Sequence, residues 1–211
     1  MQNNFCFQGI YCVGIIFILT LISCNREDSP VIYDENYRIE LLKERKENDS
    51  LMQADPHSPF NVDTTIEFSP IKYFEPDQRY VFKSKLHRYE SQDTIFILGT
   101  KGEYRIAIPV GYLAFSYEGE EYKINVYKSF GRAMEEYYSI WFTDQTTGFE
   151  TYGVGRYLVF EMNEDPDFEY TLDFNRAYNP YCAYSPKFTC PIPREEDYID
   201  LAIKAGEMNF H

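Results

Sequence analysis

The chain has 211 residues, a length that suits one domain or two small ones. Aromatic residues make up 18% of it, which is too many for an intrinsically disordered chain. The formal net charge of −14 argues against a nucleic-acid partner, because neutralising phosphates requires clustered Lys and Arg, and three histidines leave little room for His-based metal chemistry.

The N-terminus has the pattern of an export signal. Residues 10–22 are largely apolar, and this run is shorter than the roughly 20 residues of a membrane-spanning helix. It ends in Leu21-Ile22-Ser23-Cys24, which resembles the lipobox of bacterial lipoproteins. That resemblance implies a signal peptide over residues 1–23 and lipidation, as with palmitate, of Cys24. An uncleaved N-terminal anchor is the alternative, since residues 1–7 carry no Lys or Arg.

The resemblance to lipoproteins also implies a location. Residues 24–33 would form a tether, and the protein would be held to a bacterial membrane in the cell envelope, facing the periplasm or the cell surface. Residues 34–211 are predicted to be a single β-rich domain on that tether.

A helix is predicted first in this domain. Asp34 can cap it, and it runs to about Met52 with apolar or small polar side chains on one face, namely Tyr37, Leu41, Asn48 and Leu51 or Met52. The charged residues Glu40 and 43–47 are assigned to its remaining surface. The plain interpretation is an amphipathic helix lying on the domain, and the alternative is a helix that binds a partner.

Beyond the helix the hydrophobic period changes to two. The strands are rich in Val, Ile, Tyr and Phe, and they are predicted at 79–86, 94–98, 104–109, 112–117, 121–127, 139–143, 152–162, 168–174 and 199–203. Glu118-Gly119 is typical of a tight hairpin. About eight or nine short strands predict a mainly β fold, a single antiparallel barrel or sandwich.

The C-terminal third carries separated motifs in a fixed order. They read DQTTGFETYGVGRYL at 144–158, DFNRAYNPYCAY at 173–184, CPIP at 190–193 and AGE at 205–207. This order resembles a bacterial and archaeal family catalogued as domain of unknown function 1684, over roughly residue 37 to the end. The resemblance implies no established activity.

The first motif supplies candidate ligand-binding residues. Glu150, Tyr152 and Arg156 have the same parity, so in a regular strand they would share one face. Two interpretations follow. Arg156 could receive an anionic ligand, or Glu150 and Arg156 could form a buried Glu–Arg pair that fixes barrel closure.

The second motif adds Asp173, Asn175 and Asn179 as candidates. If the strand at 168–174 pairs with the strand at 152–162, Asp173 faces Arg156 and is its expected ion partner. The two asparagines could contact a ligand, or they could brace the loop through local backbone hydrogen bonds.

Residues 178–193 hold four prolines and two cysteines, which excludes a helix or a central strand and predicts a proline-rich loop that wraps the domain. Cys182 and Cys190 are a candidate disulfide in an oxidising compartment. Two cysteines without a nearby histidine fall short of a zinc site, so no metal and no cofactor are expected.

Two functions remain open from the sequence. The first is a non-enzymatic envelope module that is structural or binds a small anionic or sugar-like ligand, since tyrosines supply both apolar area and hydroxyl groups. The second is an envelope-associated hydrolase or lyase that uses Glu150 or Asp173 as acid and base, with Arg156 holding an anion.

Overall fold

The computed structural model describes residues 34–131 and 134–211. The predicted signal peptide at 1–23, the lipidated Cys24 and the tether at 24–33 lie outside these residues. From residue 34 onward, the described chain belongs to one compact unit. Within this described part, no helix combines the length and the apolar character needed to cross a bilayer.

The N-terminal helix forms as predicted. Helix α1 spans Glu35–Ala54, and the Asp34 side chain caps it by accepting a hydrogen bond from the Asn36 N–H. A single further turn, α2, spans Pro59–Val62 and is capped by Ser58. One assignment within α1 is wrong: Arg45 belongs to the buried face with Leu41 and Met52, not to the charged outer surface.

Eight strands follow and confirm a mainly β fold. They are β1 Val81–Arg88, β2 Ile95–Leu98, β3 Tyr104–Tyr117, β4 Glu120–Phe130, β5 Glu136–Asp144, β6 Arg156–Phe160, β7 Glu169–Asp173 and β8 Tyr198–Ile199. Two predicted strands merge into β3, where a register shift between Pro109 and Gly111 accommodates a proline inside a paired strand. The predicted hairpin turn is present, with positive φ at both Glu118 and Gly119.

The strands form one sheet curled into a half-barrel, in the order β6-β5-β4-β3-β1-β7. Strand β2 pairs with β3, and the short β8 lies parallel to β5, whereas the other ladders are antiparallel. Strands β6 and β7 are therefore at opposite ends of this order. The predicted pairing of the 152–162 and 168–174 segments is wrong, because β7 pairs with β1.

The curled sheet encloses the main core on one face. Phe115, Val126, Phe142 and Leu172 point into it, together with Phe174 from the segment after β7. The predicted strand at 199–203 is wrong, because β8 ends at Ile199. The residues that follow contribute Ile203 and Ala205 to the main core without forming a strand.

A smaller apolar cluster lies on the opposite face of the sheet. Tyr127, Trp141 and Tyr157 form it with Cys190 from the proline-rich segment. The backbones of Tyr178 and Tyr157 exchange two hydrogen bonds of 2.9 Å, which attach this segment beside β6. Residues 178–193, called the wrap below, therefore cover the outer face of β5 and β6 as the sequence predicts.

Candidate functional site

The signature residue Arg156 lies inside the protein. Its side chain is 1% exposed and forms an ion pair with the equally buried Asp144, with Nη2 and Oδ2 2.6 Å apart. The same guanidinium donates to the backbone carbonyls of Ile203, at 2.8 Å, and Ala205. Arg156 is thus held by a carboxylate and by backbone oxygens. Its Nε–H has no acceptor among the described residues, but burial closes the side chain to an anionic ligand from solvent.

The residues around Arg156 build this buried pair. Asp144 also accepts hydrogen bonds from the N–H and hydroxyl of Thr146, so both of its carboxylate oxygens are used. Gly155 precedes Arg156 with φ of +111°, and a Cβ there would lie 2.5 Å from the Phe142 carbonyl oxygen. The glycine is required because the backbone passes too close for a side chain. Arg156 therefore forms a buried ion pair, but its partner is Asp144 and not the predicted Glu150.

Glu150 and Tyr152 do not share a face with Arg156. Strand β6 begins at Arg156, so both residues lie in the turn-rich segment before it. Glu150 pairs with Lys204 at 2.8 Å near the surface, where its side chain is 40% exposed. Tyr152 donates to the Cys182 carbonyl at 3.2 Å. The predicted shared face is wrong, because it required a regular strand to continue through Gly153 and Gly155.

Asp173 is also separate from Arg156. Its carboxylate accepts hydrogen bonds from the Tyr37 hydroxyl, at 2.9 Å and 3.0 Å, and pairs with Arg176. The predicted Asp173–Arg156 ion pair is wrong, since Asp144 takes that place. Asp173 lines a cavity of about 430 Å³ between β6 and β7.

The two asparagines brace the chain. Asn175 exchanges side-chain hydrogen bonds of 2.8 Å with the backbone N–H and carbonyl of Asp77. Asn179 donates to the Met208 carbonyl, also at 2.8 Å. Both side chains are buried and join segments that are distant in the sequence, so they brace the fold and not only their own loop. Glu150, Asp173 and Arg156 therefore do not converge into the acid, base and anion holder of a hydrolase.

Cys182 and Cys190 lie side by side in the wrap as free thiols. The Cys182 N–H donates to the Cys190 sulfur at 3.4 Å. A hydrogen bond from Cys190 lowers the pKa of the Cys182 thiol to about 7, while the same contact and burial raise the pKa of Cys190. The described residues contain no cluster of three or more His, Cys, Asp or Glu side chains that could hold a metal ion.

An aromatic cleft lies between the wrap and the outer face of β5 and β6. Its volume is about 550 Å³, within the usual range for small-molecule sites. The aromatic side chains that line it come from both sides: Tyr137, Trp141 and Tyr157 from the sheet, and Tyr178, Tyr181 and Phe188 from the wrap. This cleft is larger than the cavity beside Asp173, and more aromatic side chains line it.

The cleft also contains a hydroxyl group without a partner. Ser139 lines it from β5, and its buried Oγ has no hydrogen-bond partner among the described residues. The Tyr157 hydroxyl, in contrast, donates to the Pro191 carbonyl. Buried polar groups are nearly always paired, yet the Ser139 hydroxyl, like that of Ser129 on β4, has no partner among the described residues.

The cleft residues were missed at the sequence level, although a signal existed. Tyr137, Ser139 and Trp141 alternate with core residues such as Ile140 and Phe142. That alternation shows a second face of β5 rich in aromatic side chains. The sequence does not show that the wrap covers this face only in part, so it could not identify the face as the wall of a cleft.

Comparisons with known proteins agree with this architecture. A family model described as a protein of unknown function (DUF1684) matches residues 66–208, and the chain belongs to this family. A solution NMR structure of an uncharacterized protein of Haloarcula marismortui is 31% identical, with a TM-score of 0.60, over 82% of this chain and 95% of that one. The search of curated proteins found no significant match. The predicted family and the mainly β fold are confirmed.

Proposed function

We propose that this family member is a lipid-anchored envelope protein that binds a small sugar-like or amphiphilic ligand in the aromatic cleft. The observation that carries the binding proposal is the combination of six aromatic side chains with the unpartnered Ser139 hydroxyl in one cleft. Aromatic faces stack on the apolar faces of such ligands, and hydroxyl groups fix their orientation.

Stacking already organises the floor of the cleft. The Trp141 and Tyr127 rings are 4.6 Å apart and inclined by 5°. Tyr157 and Tyr178 meet edge to face, with their centroids 6.0 Å apart. Rings held by neighbours lose little conformational entropy when a ligand binds, which favours affinity.

The lipid anchor rests on the sequence alone. The apolar run at 10–22 followed by Leu21-Ile22-Ser23-Cys24 supports export and acylation of Cys24. Acyl chains on a single cysteine and its amino group are enough for stable membrane attachment. We expect Cys24→Ala to abolish palmitate labelling and recovery in the membrane fraction, and unchanged labelling would reject this anchor.

Trp141 provides a direct test of binding, because it is the sole tryptophan of the chain. The full chain, held in a polyoxyethylene detergent, is titrated with the disaccharide of N-acetylglucosamine and, separately, with octyl glucoside. A saturable change in tryptophan emission is expected for the ligand class that fits. Native mass spectrometry of protein purified from its own host then identifies the bound molecule.

Ser139→Ala separates binding from folding. Because the Ser139 hydroxyl has no partner within the described chain, its removal should leave the free energy of unfolding unchanged or raised, while ligand affinity falls about tenfold. Ser84→Ala is the matched control, since the buried Ser84 hydroxyl accepts from the Ala114 N–H at 2.9 Å. That control should lose stability and keep affinity.

Two results would contradict the binding proposal. One is the absence of any co-purifying ligand together with tryptophan emission that neither probe changes. The other is a loss of stability in Ser139→Ala equal to that in Ser84→Ala, which would show that the Ser139 hydroxyl serves the fold.

A further inference from the structure

A second cavity lies between helix α1 and the segment that follows β7. Its volume is about 260 Å³. Most of the residues that line it are charged or polar, although much of the surface they present is apolar: Glu44, Arg45, Asn48, Tyr73, Asn175, Arg176 and Glu207, with Leu41, Ala177 and Tyr178. This composition differs from that of the aromatic cleft, although Tyr178 lines both.

Arg45 is the least satisfied of these groups. The residue is 8% exposed, and its guanidinium lies 4.4 Å above the Tyr73 ring. It donates to two backbone carbonyls, those of Phe74 at 2.8 Å and Asn175 at 3.3 Å. Its Nε–H is buried and has no acceptor among the described residues.

The charge of Arg45 also lacks a counterion. No carboxylate within 34–131 or 134–211 lies in ion-pair distance of its guanidinium, whereas Arg156 and Arg176 each have one. Glu75 and Asp173 act on Arg45 only from farther away, and burial lowers its pKa. A guanidinium stays protonated in proteins, so this is a buried positive charge without compensation.

The acidic residues of the cavity are engaged elsewhere. Glu44 accepts two hydrogen bonds from Arg176, at 2.9 Å and 3.0 Å. Glu207 accepts from the Tyr184 hydroxyl and, at 2.7 Å, from the Asn179 N–H. Burial raises the pKa of Glu207 to about 7, so much of it is uncharged near neutral pH. The uncompensated charge facing the cavity is therefore that of Arg45.

We propose that this cavity binds a small oxyanion, a carboxylate or phosphate group, on the Nε edge of Arg45. The guanidinium edge presents parallel N–H groups that match two oxygens of either group. The cavity is smaller than most clefts for drug-sized ligands, which favours a compact anion or the end group of a larger molecule.

Isothermal titration of the full chain tests the site with inorganic phosphate and, separately, with succinate. Sodium chloride at matched ionic strength is the reference for non-specific salt effects. Saturable binding of phosphate or succinate beyond the chloride reference is expected. The probe that binds more tightly identifies which of the two oxyanions the site prefers.

Two variants of α1 assign the binding to Arg45. Arg45→Met should weaken the preferred oxyanion at least tenfold. Arg38→Met is the matched control, because Arg38 lies on the same helix with a side chain that is 44% exposed. That control should bind as the wild type does. If Arg45→Met does not fold, Arg45→Lys replaces it, and loss of the Nε–H should still weaken binding several-fold.

Three outcomes would overturn the proposal. They are no binding of either oxyanion beyond chloride, equal affinity in the Arg45 variant and the wild type, and equal weakening in the Arg38 and Arg45 variants. The aromatic-cleft ligand is measured separately through Trp141, so failure of one site leaves the other interpretable.

Discussion

Arg156 and Arg45 are two buried arginines that differ in their counterion. Arg156 has a carboxylate partner at 2.6 Å and backbone carbonyls from residues 203–207. Arg45 has two carbonyls, lines a cavity and has no carboxylate within ion-pair distance among the described residues. Both arginines lie over an aromatic ring and have a buried Nε–H without an acceptor there, so the counterion distinguishes them. The sequence motif therefore marks an arginine that is paired inside the fold, whereas the arginine outside the motif lines a cavity without a paired carboxylate among the described residues.

The largest expected effect comes from breaking the Arg156 pair. Asp144→Ala leaves a buried guanidinium without its carboxylate, which should cost about 3–5 kcal/mol of unfolding free energy. Urea denaturation measures this loss. Glu150→Ala removes only the surface pair with Lys204 and should cost about 0.5 kcal/mol. Equal losses in the two variants would show that Arg156 does not hold the fold.

Glu207 links the two arginines, because its backbone carbonyl accepts from Arg156 and its side chain lines the cavity of Arg45. Its pKa is raised from 4.5 to about 7 by burial, so the fold favours the protonated form. This group's stabilisation is complete below pH 4.5 and is lost as pH rises through 7.

Glu207→Gln removes that titration and keeps an acceptor for Tyr184 and Asn179. The unfolding free energy of the wild type minus that of the variant should therefore fall by about 3 kcal/mol between pH 4 and pH 8. Chemical denaturation at both pH values gives the difference. A constant difference would mean that Glu207 titrates normally in the fold.

The wrap adjoins both regions, since Tyr178 pairs with Tyr157 next to Arg156 and also lines the cavity of Arg45. A disulfide between Cys182 and Cys190 should fix the conformation of the wrap. We expect protein from an oxidising compartment to have a mass lower by two hydrogens and a stability higher by about 2.5 kcal/mol than after reduction. A Cys182→Ala, Cys190→Ala variant should show no response to reductant. Two free thiols after oxidation would reject the disulfide.

The smallest effect is expected at Arg45 itself. Arg45→Met loses two hydrogen bonds to carbonyls but removes an unpaired buried charge, so without ligand it should cost about 1 kcal/mol. Arg156→Met should lower the unfolding free energy several times more, because it also leaves the buried Asp144 without its ion partner. The same urea measurement compares them. Equal losses of unfolding free energy in the two variants would show that Arg45 and Arg156 stabilise the fold to the same extent.

Much of the fold could be predicted from the sequence. Alternation located most strands, Asp34 located the start of α1, and the prolines of 178–193 predicted the wrap. Strand pairing could not be predicted, because the partner of β7 depends on the curl of the whole sheet. The assumed pairing with β6 therefore gave Arg156 the wrong acid.

The site was harder to predict for the same reason. Arg45 follows Leu41 by four residues, which places both on one helical face, yet its charge suggested solvent. Ser139 and Trp141 looked like ordinary strand residues, since nothing local shows where the wrap leaves a gap. Their roles depend on contacts between segments far apart in sequence.

The hydrogen bonds of Arg156 also bear on how the chain acquires its structure. They join β6 to carbonyls some fifty residues later, at 203–207, and Arg45 joins α1 to Asn175 over 130 positions. Closing such long loops is slow, and partly made chains expose their apolar strands meanwhile. The main core is incomplete until Ala205 has been synthesised, so a ribosome-bound chain exposes apolar surface that favours aggregation.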